Sequence, residues 1–366
     1  MWAKLAELHC QCRKNNTICS RRDKKNMHIL IVGLGSMGKR RLRILKEHFP
    51  EFSVSAVESR EDRRVEISSD YSIVVYSNII DAFNDKKFDA VLICTSPLSH
   101  GEIASMAIKN KCHVFCELNL DNSWYRNVAD LARENKKHVF LSSTMLYHDD
   151  INWISSQIKE INSPCAYEYH VGQYLPDWHP WEKPEDYFIS NVKTNGCREL
   201  LAIEMPWIDR VFSPIVSIKS FSAKVNKDLT LDWPDIRSMI ICHKNGIIGT
   251  LIVDVVSRIP RRDFRVWGEW GDIAWAGKIG SLRQSIKGNE WKYIDSATVD
   301  SPSKNRADPE YKYASIINEK PYVSEVADFI RLIQDKPPNI ITHTIYDDLR
   351  ILDNINKIEE ASLEGI

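Results

Sequence analysis

An apolar run, Met27-His28-Ile29-Leu30-Ile31-Val32, breaks into Gly33-Leu34-Gly35-Ser36-Met37-Gly38 and then into a stretch with helical spacing. This order of strand, tight turn and helix constrains the chain more than any other segment. In such a turn the first glycine permits the bend and the second lets backbone approach a pyrophosphate. The third lets the helix close on the strand. Phosphates would sit at the helix N-terminus, where free N–H groups and the dipole favour an anion. Glu58 follows the next apolar segment, Phe52 to Val57. An acid at that position can hold the two hydroxyls of an adenosine ribose.

From Met27 to Leu146 short apolar runs alternate with helical stretches, which predicts a parallel sheet covered on both faces. The strands expected are Ile29–Val32, Ser53–Val57, Ile73–Tyr76, Ala90–Cys94, His113–Cys116 and Val139–Leu141; helices fill 37–48, 79–86, 100–110 and 124–136. After Asp150 the texture changes. A helix over 151–161 precedes an aromatic, proline-rich loop from Gly172 to Tyr187, and a second helix starts at Cys197 and is expected to stop near Pro206. Alternating strands follow at Val216–Val225 and Ile236–His243, with an Asn245-Gly246 hairpin turn into Ile247–Val256. Phe264–Trp267 and Asp272–Trp275 read as a further hairpin, and Tyr346 to Ala361 has helical spacing.

The fold expected is therefore α/β: a Rossmann-type doubly wound parallel sheet, then an α+β domain with a large open, mostly antiparallel sheet. The divisions are a basic leader over 1–26 that is expected to be disordered or absent from the mature fold, a dinucleotide-binding domain over 27–146, a substrate and oligomerisation domain over 147–345, and a terminal helix over 346–366. The leader carries no apolar stretch of signal-peptide kind.

Lys plus Arg (49) nearly cancel Asp plus Glu (50), so no bulk field selects nucleic acid or an anionic membrane. Nine cysteines lack paired zinc spacing, and Cys10, Cys12 and Cys19 have no partner histidines at ligand spacing. No metal is implied, and the thiols fit a reducing, cytoplasmic setting.

Cys94-Thr95-Ser96-Pro97-Leu98-Ser99-His100 leaves the fourth strand at its carboxyl end, and Cys116-Glu117-Leu118-Asn119 leaves the fifth. Ligands of open α/β sheets bind outside those ends. With the glycine turn, these segments resemble the glucose–fructose oxidoreductase/inositol dehydrogenase/rhizopine catabolism (Gfo/Idh/MocA) family, and the likeness extends over nearly the whole chain from Met27. The resemblance implies that Gly33, Gly35, Ser36, Met37, Glu58, Thr95, Ser96, Pro97, His100, Glu117 and Leu118 line NAD or NADP. Glu58 favours NAD by repelling a 2′-phosphate, whereas Ser59 and Arg60 beside it could accept one.

Two departures stand out. Dehydrogenases of the family carry a lysine at the position of Leu118, in a Glu-Lys-Pro triplet, and a histidine on the substrate-domain helix. Here the triplet reads Glu117-Leu118-Asn119, and no histidine lies between Gly196 and Phe212. Glu199 and Glu204 on that helix and His179 in the aromatic loop are the candidates for proton transfer. The loop, Tyr174-Leu175-Pro176-Asp177-Trp178-His179-Pro180-Trp181, resembles one in a family subgroup linked to surface-polysaccharide sugars. Asp177, Trp178, Trp181 and Tyr187 are its candidate sugar contacts, although core packing accounts for most tryptophans.

The function expected is an NAD(P)-dependent oxidoreductase acting on a sugar or nucleotide sugar. A catalytically silent dinucleotide-binding regulator, and a redox-neutral NAD-dependent lyase or epimerase, are the alternatives. The open sheet face implies a homodimer or homotetramer.

Overall fold

Ile29, Leu30 and Ile31 are all fully buried, as a strand covered on both faces must be. They form β1 (His28–Val32), which pairs in parallel with β2 (Ser53–Val57) on one side and β4 (Ala90–Ile93) on the other. Adding β3 (Val75–Tyr76), β5 (His113–Cys116) and β6 (Val139–Leu141) gives a six-stranded sheet of order β3-β2-β1-β4-β5-β6. The winding reverses between β1 and β4, and the crevice outside the strand ends there is where such sheets take ligands. The structure is a computed structural model and describes residues 27–178, 180, 183–296 and 318–361. The leader over 1–26, and His179, Trp181 and Glu182 of the aromatic loop, lie outside the described residues.

Five helices connect these strands: α1 (Ser36–His48), α2 (Glu61–Tyr71), α3 (Ile79–Asp85), α4 (His100–Lys109) and α5 (Tyr125–Asn135). The helix α2 is not among those the sequence pattern predicts. Ile67 is its only buried residue, and a helix that is polar nearly all round leaves no apolar period to detect.

In the second half, α6 (Asp149–Ile161) leads into β7 (Ala166–Gly172), another element the pattern does not predict. Its inward residues Tyr167, Tyr169 and Val171 alternate with Glu168 and His170, so two tyrosines disguise a buried face. It lies inside an eight-stranded sheet with β8 (Ile215–Ala223), β9 (Ile236–His243), β10 (Ile248–Asp254), β11 (Arg261–Gly268), β12 (Gly271–Trp275), β13 (Arg283–Ile286) and β14 (Lys292–Tyr293). The order is β14-β13-β12-β11-β7-β10-β9-β8, antiparallel except where β7 runs alongside β10. Gly246 turns the β9–β10 hairpin with φ +85°.

Against one face of this sheet lies α7 (Gly196–Phe212), which does not stop at Pro206. Proline costs it one backbone hydrogen bond, but all of its 17 residues except Glu199, Ile203 and Arg210 are buried, and that packing holds the helix through the interruption. The other face is open, with Phe221 74%, Ile240 53% and Ile248 51% exposed.

Two last helices, α8 (Lys320–Ile333) and α9 (Ile345–Ala361), return from the second half. Phe329 of α8 is fully buried and meets Phe115 and Phe140 of the first sheet edge-on, with ring centroids 5.5 and 5.9 Å away. Among the described residues no helix is long and apolar enough to cross a membrane. Phe329→Ala removes the ring that pins α8 beneath the first sheet, and is expected to cost about 3–5 kcal/mol in denaturant unfolding. A loss within about 1 kcal/mol would show the packing to be dispensable.

Candidate functional site

Gly33 has φ +90°, and a Cβ there would lie 2.9 Å from the Cys94 carbonyl oxygen. A Cβ on Gly38 would sit 1.9 Å from the Gly33 carbonyl oxygen, so α1 can start where it does only with glycine. Gly35 faces open space: a Cβ there would meet nothing within 4 Å among the described residues. No side chain caps the start of α1 and no acid occupies its first turn, which leaves that end free for an anion. Ser36 is exposed and Met37 half-buried beside it. The residues present thus fit a pyrophosphate.

At the end of β2, Glu58 is 6% exposed and held by two backbone donors, the Leu34 N–H at 3.0 Å and the Arg60 N–H at 3.0 Å. The Ser59 hydroxyl lies 3.4 Å away, and the Arg63 guanidinium 3.8 Å. Both Ser59 and Arg60 are exposed, and the Arg60 guanidinium is bound by Asp62 at 2.5 Å. After β4, the Ser99 hydroxyl bonds Thr95 Oγ1 and the Ser96 carbonyl, each at 2.8 Å, while Pro97 is buried. His100 lies deeper than the residues before it. It is fully buried, with Nε2 on the Thr95 carbonyl at 3.0 Å and Nδ1 3.3 Å from Cys116 Sγ. It braces the wall from behind and does not line it; burial pushes its pKa down, so it is neutral.

Glu117, after β5, is 8% exposed and accepts from Arg41 Nε at 2.5 Å. Arg41 comes from α1 and is completely buried; its Nη2 reaches Glu325 of α8 at 2.7 Å. Glu325 also accepts from the Ser143 N–H at 2.6 Å and from Ser142 and Thr144 hydroxyls at 3.1 Å. Next to Glu117 in sequence, Leu118 is half-buried and Asn119 is held on the Tyr125 hydroxyl at 2.8 Å. Tyr125 donates to Asp348 of α9, whose other oxygen meets His343 at 2.8 Å. Neither Arg41 nor Glu325 carries a sequence signal, since buried arginine inside an amphipathic helix reads as one more exposed cation.

The start of α7 approaches this loop. Arg198 Nε donates to the Leu120 carbonyl at 2.9 Å, and its other nitrogens hold Asn356 and Glu359 of α9. Glu199 follows it, and Glu199, Ile203 and Arg210 mark one stripe of the helix at spacings of four and seven. Glu199 Oε2 is buried without a hydrogen-bond partner among the described residues, and burial pushes its carboxyl up to about 7. Glu204, the other candidate on this helix, is set differently. It is fully buried, taking Arg262 Nε at 2.9 Å, the Tyr169 hydroxyl at 2.8 Å and the Trp207 N–H at 2.8 Å. Its acceptor sites are spent on the fold.

In the aromatic loop Asp177 is exposed, while Trp178 and Tyr187 are half-buried. The Trp178 N–H is buried with no acceptor among the described residues. His179 and Trp181 fall on undescribed positions. His148, a half-buried residue just before α6, belongs to none of the sequence motifs; its ring stands 6.1 Å from that of Trp275. Burial lowers its pKa.

Residues 27–143 match the family described as the oxidoreductase family with NAD-binding Rossmann fold, Gfo/Idh/MocA. The match spans the first, parallel sheet. It is 33% identical over 115 residues to a myo-inositol 2-dehydrogenase of Thermotoga maritima, a match covering 30% of this chain and 33% of the relative. The chain thus spans about a third of the length of that curated relative. Over more than nine-tenths of the chain the fold is similar to that of solved dehydrogenases. The UDP-N-acetylglucosamine 3-dehydrogenase GnnA of Acidithiobacillus ferrooxidans aligns with TM-score 0.69 at 15% identity, covering 92% of this chain and 97% of the other. The WlbA dehydrogenase of Bordetella pertussis, in complex with NADH and UDP-GlcNAcA, aligns with TM-score 0.69 at 12% identity, covering 93% and 98%.

Breaking a buried ion pair leaves a charge uncompensated. Glu204→Gln is therefore expected to lower unfolding free energy by about 3 kcal/mol. Turnover of the folded fraction should stay within about twofold of the parent. A turnover loss of a hundredfold or so with stability intact would return Glu204 to the chemistry.

Proposed function

We propose that the chain is an NAD-preferring oxidoreductase that moves a hydride to or from a hydroxyl-bearing carbon of a sugar or nucleotide sugar, with Glu199 as its acid–base group. The single observation that carries this reading is the Glu199 carboxyl: among the described residues no cation neutralises it, and desolvation alone lifts it to about 7. A general base works best when its pKa lies near the operating pH. The dinucleotide, when bound, supplies the hydride acceptor or donor.

The glycine turn and the bare start of α1 would hold the pyrophosphate, and Glu58 the adenosine ribose. A carboxylate fixed by two backbone donors cannot swing away from a 2′-phosphate, and Arg60 is engaged by Asp62. That supports NAD over NADP. Thr95, Ser96 and Pro97 would wall the cofactor, with Glu117 beyond them. The substrate hydroxyl would pass its proton to Glu199, while Trp178, Asp177 and Tyr187 would contact the sugar. His179 and Trp181, on the same loop, remain proposed contributors. Relatives in fold that act on or bind UDP-sugars support a nucleotide-sugar substrate.

Leu118 favours a second reading, a dinucleotide-binding regulator, because a leucine can neither orient a hydroxyl nor carry a proton. Mixing the protein with NAD and a panel of UDP-sugars distinguishes the two. Growth of the near-ultraviolet absorbance of reduced nicotinamide is expected. Cofactor binding without reduction on any sugar would leave the regulator, and cofactor that copurifies and never exchanges would point to redox-neutral chemistry.

Because the Glu199 pKa is raised, its basic form accumulates only above about 7. Sugar oxidation should therefore rise with pH through that value, and the reverse reaction should fall. Glu199→Gln should abolish this limb and lower turnover by about a hundredfold or more, with NAD affinity unchanged. An unaltered profile would clear Glu199 of the role. The open face of the large sheet is proposed to meet a second copy, as its exposed Phe221, Ile240 and Ile248 suggest. Sedimentation at several concentrations should show at least a dimer, and a monomer throughout would sink the idea.

A further inference from the structure

Three strand ends and one turn lie in a row across the first sheet. Glu58 closes β2, the glycine turn follows β1, Thr95–Pro97 follow β4, and Glu117 follows β5. A dinucleotide anchored by its ribose at Glu58 and its phosphates at the turn must extend past β4 towards β5. Its nicotinamide end would therefore lie on the Glu117 side.

The charge at that end is unusual. Arg41 bridges two carboxylates, Glu117 at 2.5 Å and Glu325 at 2.7 Å. Each oxygen of Glu325 has an obligate donor, the Ser143 N–H on Oε1 and Arg41 on Oε2, so the group is built to be ionised even though burial raises its pKa. The two glutamates raise Arg41 further above its ordinary value, and it stays charged. Two negative groups on one positive group leave one negative charge. The Cys94 and Cys116 thiols, pushed up by burial, and His100, pushed down by it, are neutral, and Asp348 nearby is held by His343. Of the three linked side chains only Glu117 reaches solvent, 10% exposed where Arg41 and Glu325 are fully buried. The excess charge is presented to the cleft through that one carboxylate.

We propose that the Glu325–Arg41–Glu117 chain sets the redox preference of a bound nicotinamide cofactor, holding the cationic oxidised ring more tightly relative to the neutral reduced ring. Glu117 is the group that faces the ring, whereas Arg41 and Glu325 act through it as positioning and charge-setting residues. An anionic site of this kind makes reduction of the cofactor less favourable while it is bound. It thereby favours the return of hydride to a substrate over its retention. The inference rests on the proposed dinucleotide site.

Equilibrium titration of the full chain with oxidised and with reduced NAD tests it, because a merely structural residue would alter both affinities together. Glu325→Gln is nearly isosteric and makes the chain neutral. The ratio of the oxidised to the reduced dissociation constant should rise about fivefold, the order expected for removing one partly screened unit charge. Glu117→Gln removes the nearer charge and should raise the ratio further. Should Glu325→Gln fail to fold, Glu117→Gln keeps the test, since it leaves the Arg41–Glu325 pair in place. Equal weakening of both forms, or a ratio unchanged within about twofold in both variants, overturns the proposal. Failure of the parent protein to bind either form would overturn the dinucleotide site itself, and that outcome is recognisable without any variant.

Discussion

Arg41 is the interaction on which the rest of this architecture depends. A guanidinium with no solvent contact is tolerated only where anions and acceptors surround it, and here they come from distant parts of the chain. Glu117 arrives from the end of β5 and Glu325 from α8, 284 positions later than Arg41. The Tyr322 carbonyl accepts from Nη1, and the guanidinium lies 4.6 Å from the Phe115 ring centroid. The arginine can be satisfied only once the chain has built its second sheet and come back. The cofactor half is thus incomplete without the last third of the sequence.

The same logic repeats one strand-end residue further on. Asn119 is held through Tyr125 and Asp348 by His343, so the loop bearing Leu118 is gripped by α8 on one side and α9 on the other. Arg198 adds a third tie, joining the Leu120 carbonyl to the first turn of α7. Three helices from the second half therefore fix three successive points of a single loop in the first. Such a loop has little freedom to adjust to a ligand, and the residue at position 118 is placed by the scaffold.

How much of this could be read from the sequence follows from the range of each interaction. The glycine turn and Glu58 are local chemistry, within one βαβ unit, and both appear where the residue order put them. The strands of the first sheet are mostly apolar and announce themselves. By contrast α2 buries only Ile67, β7 hides its buried face behind two tyrosines, and α7 runs through Pro206 because tertiary packing outweighs one missing bond. The resemblance puts His100 in the cofactor wall, and Glu204 is a substitute chosen on the helix where the family carries a histidine. Their partners, Arg262, Tyr169 and Cys116, become visible only in three dimensions. Arg41 shows the limit most plainly: its partners lie 76 and 284 positions away.

The leucine at position 118 and the perturbed carboxyl of Glu199 bear on each other. An ammonium on the loop that Arg198 grips would favour the charged form of any carboxyl close by and draw its pKa down. Leu118 supplies no such charge, and among the described residues desolvation is the only influence acting on Glu199. A glutamate near 7 can take a proton at neutral pH and give it back, whereas one drawn down to the ordinary carboxylate range would be a weak base. Under the role proposed for Glu199, an apolar side chain at position 118 is compatible with its raised carboxyl, because it brings no cation that would hold a nearby glutamate ionised.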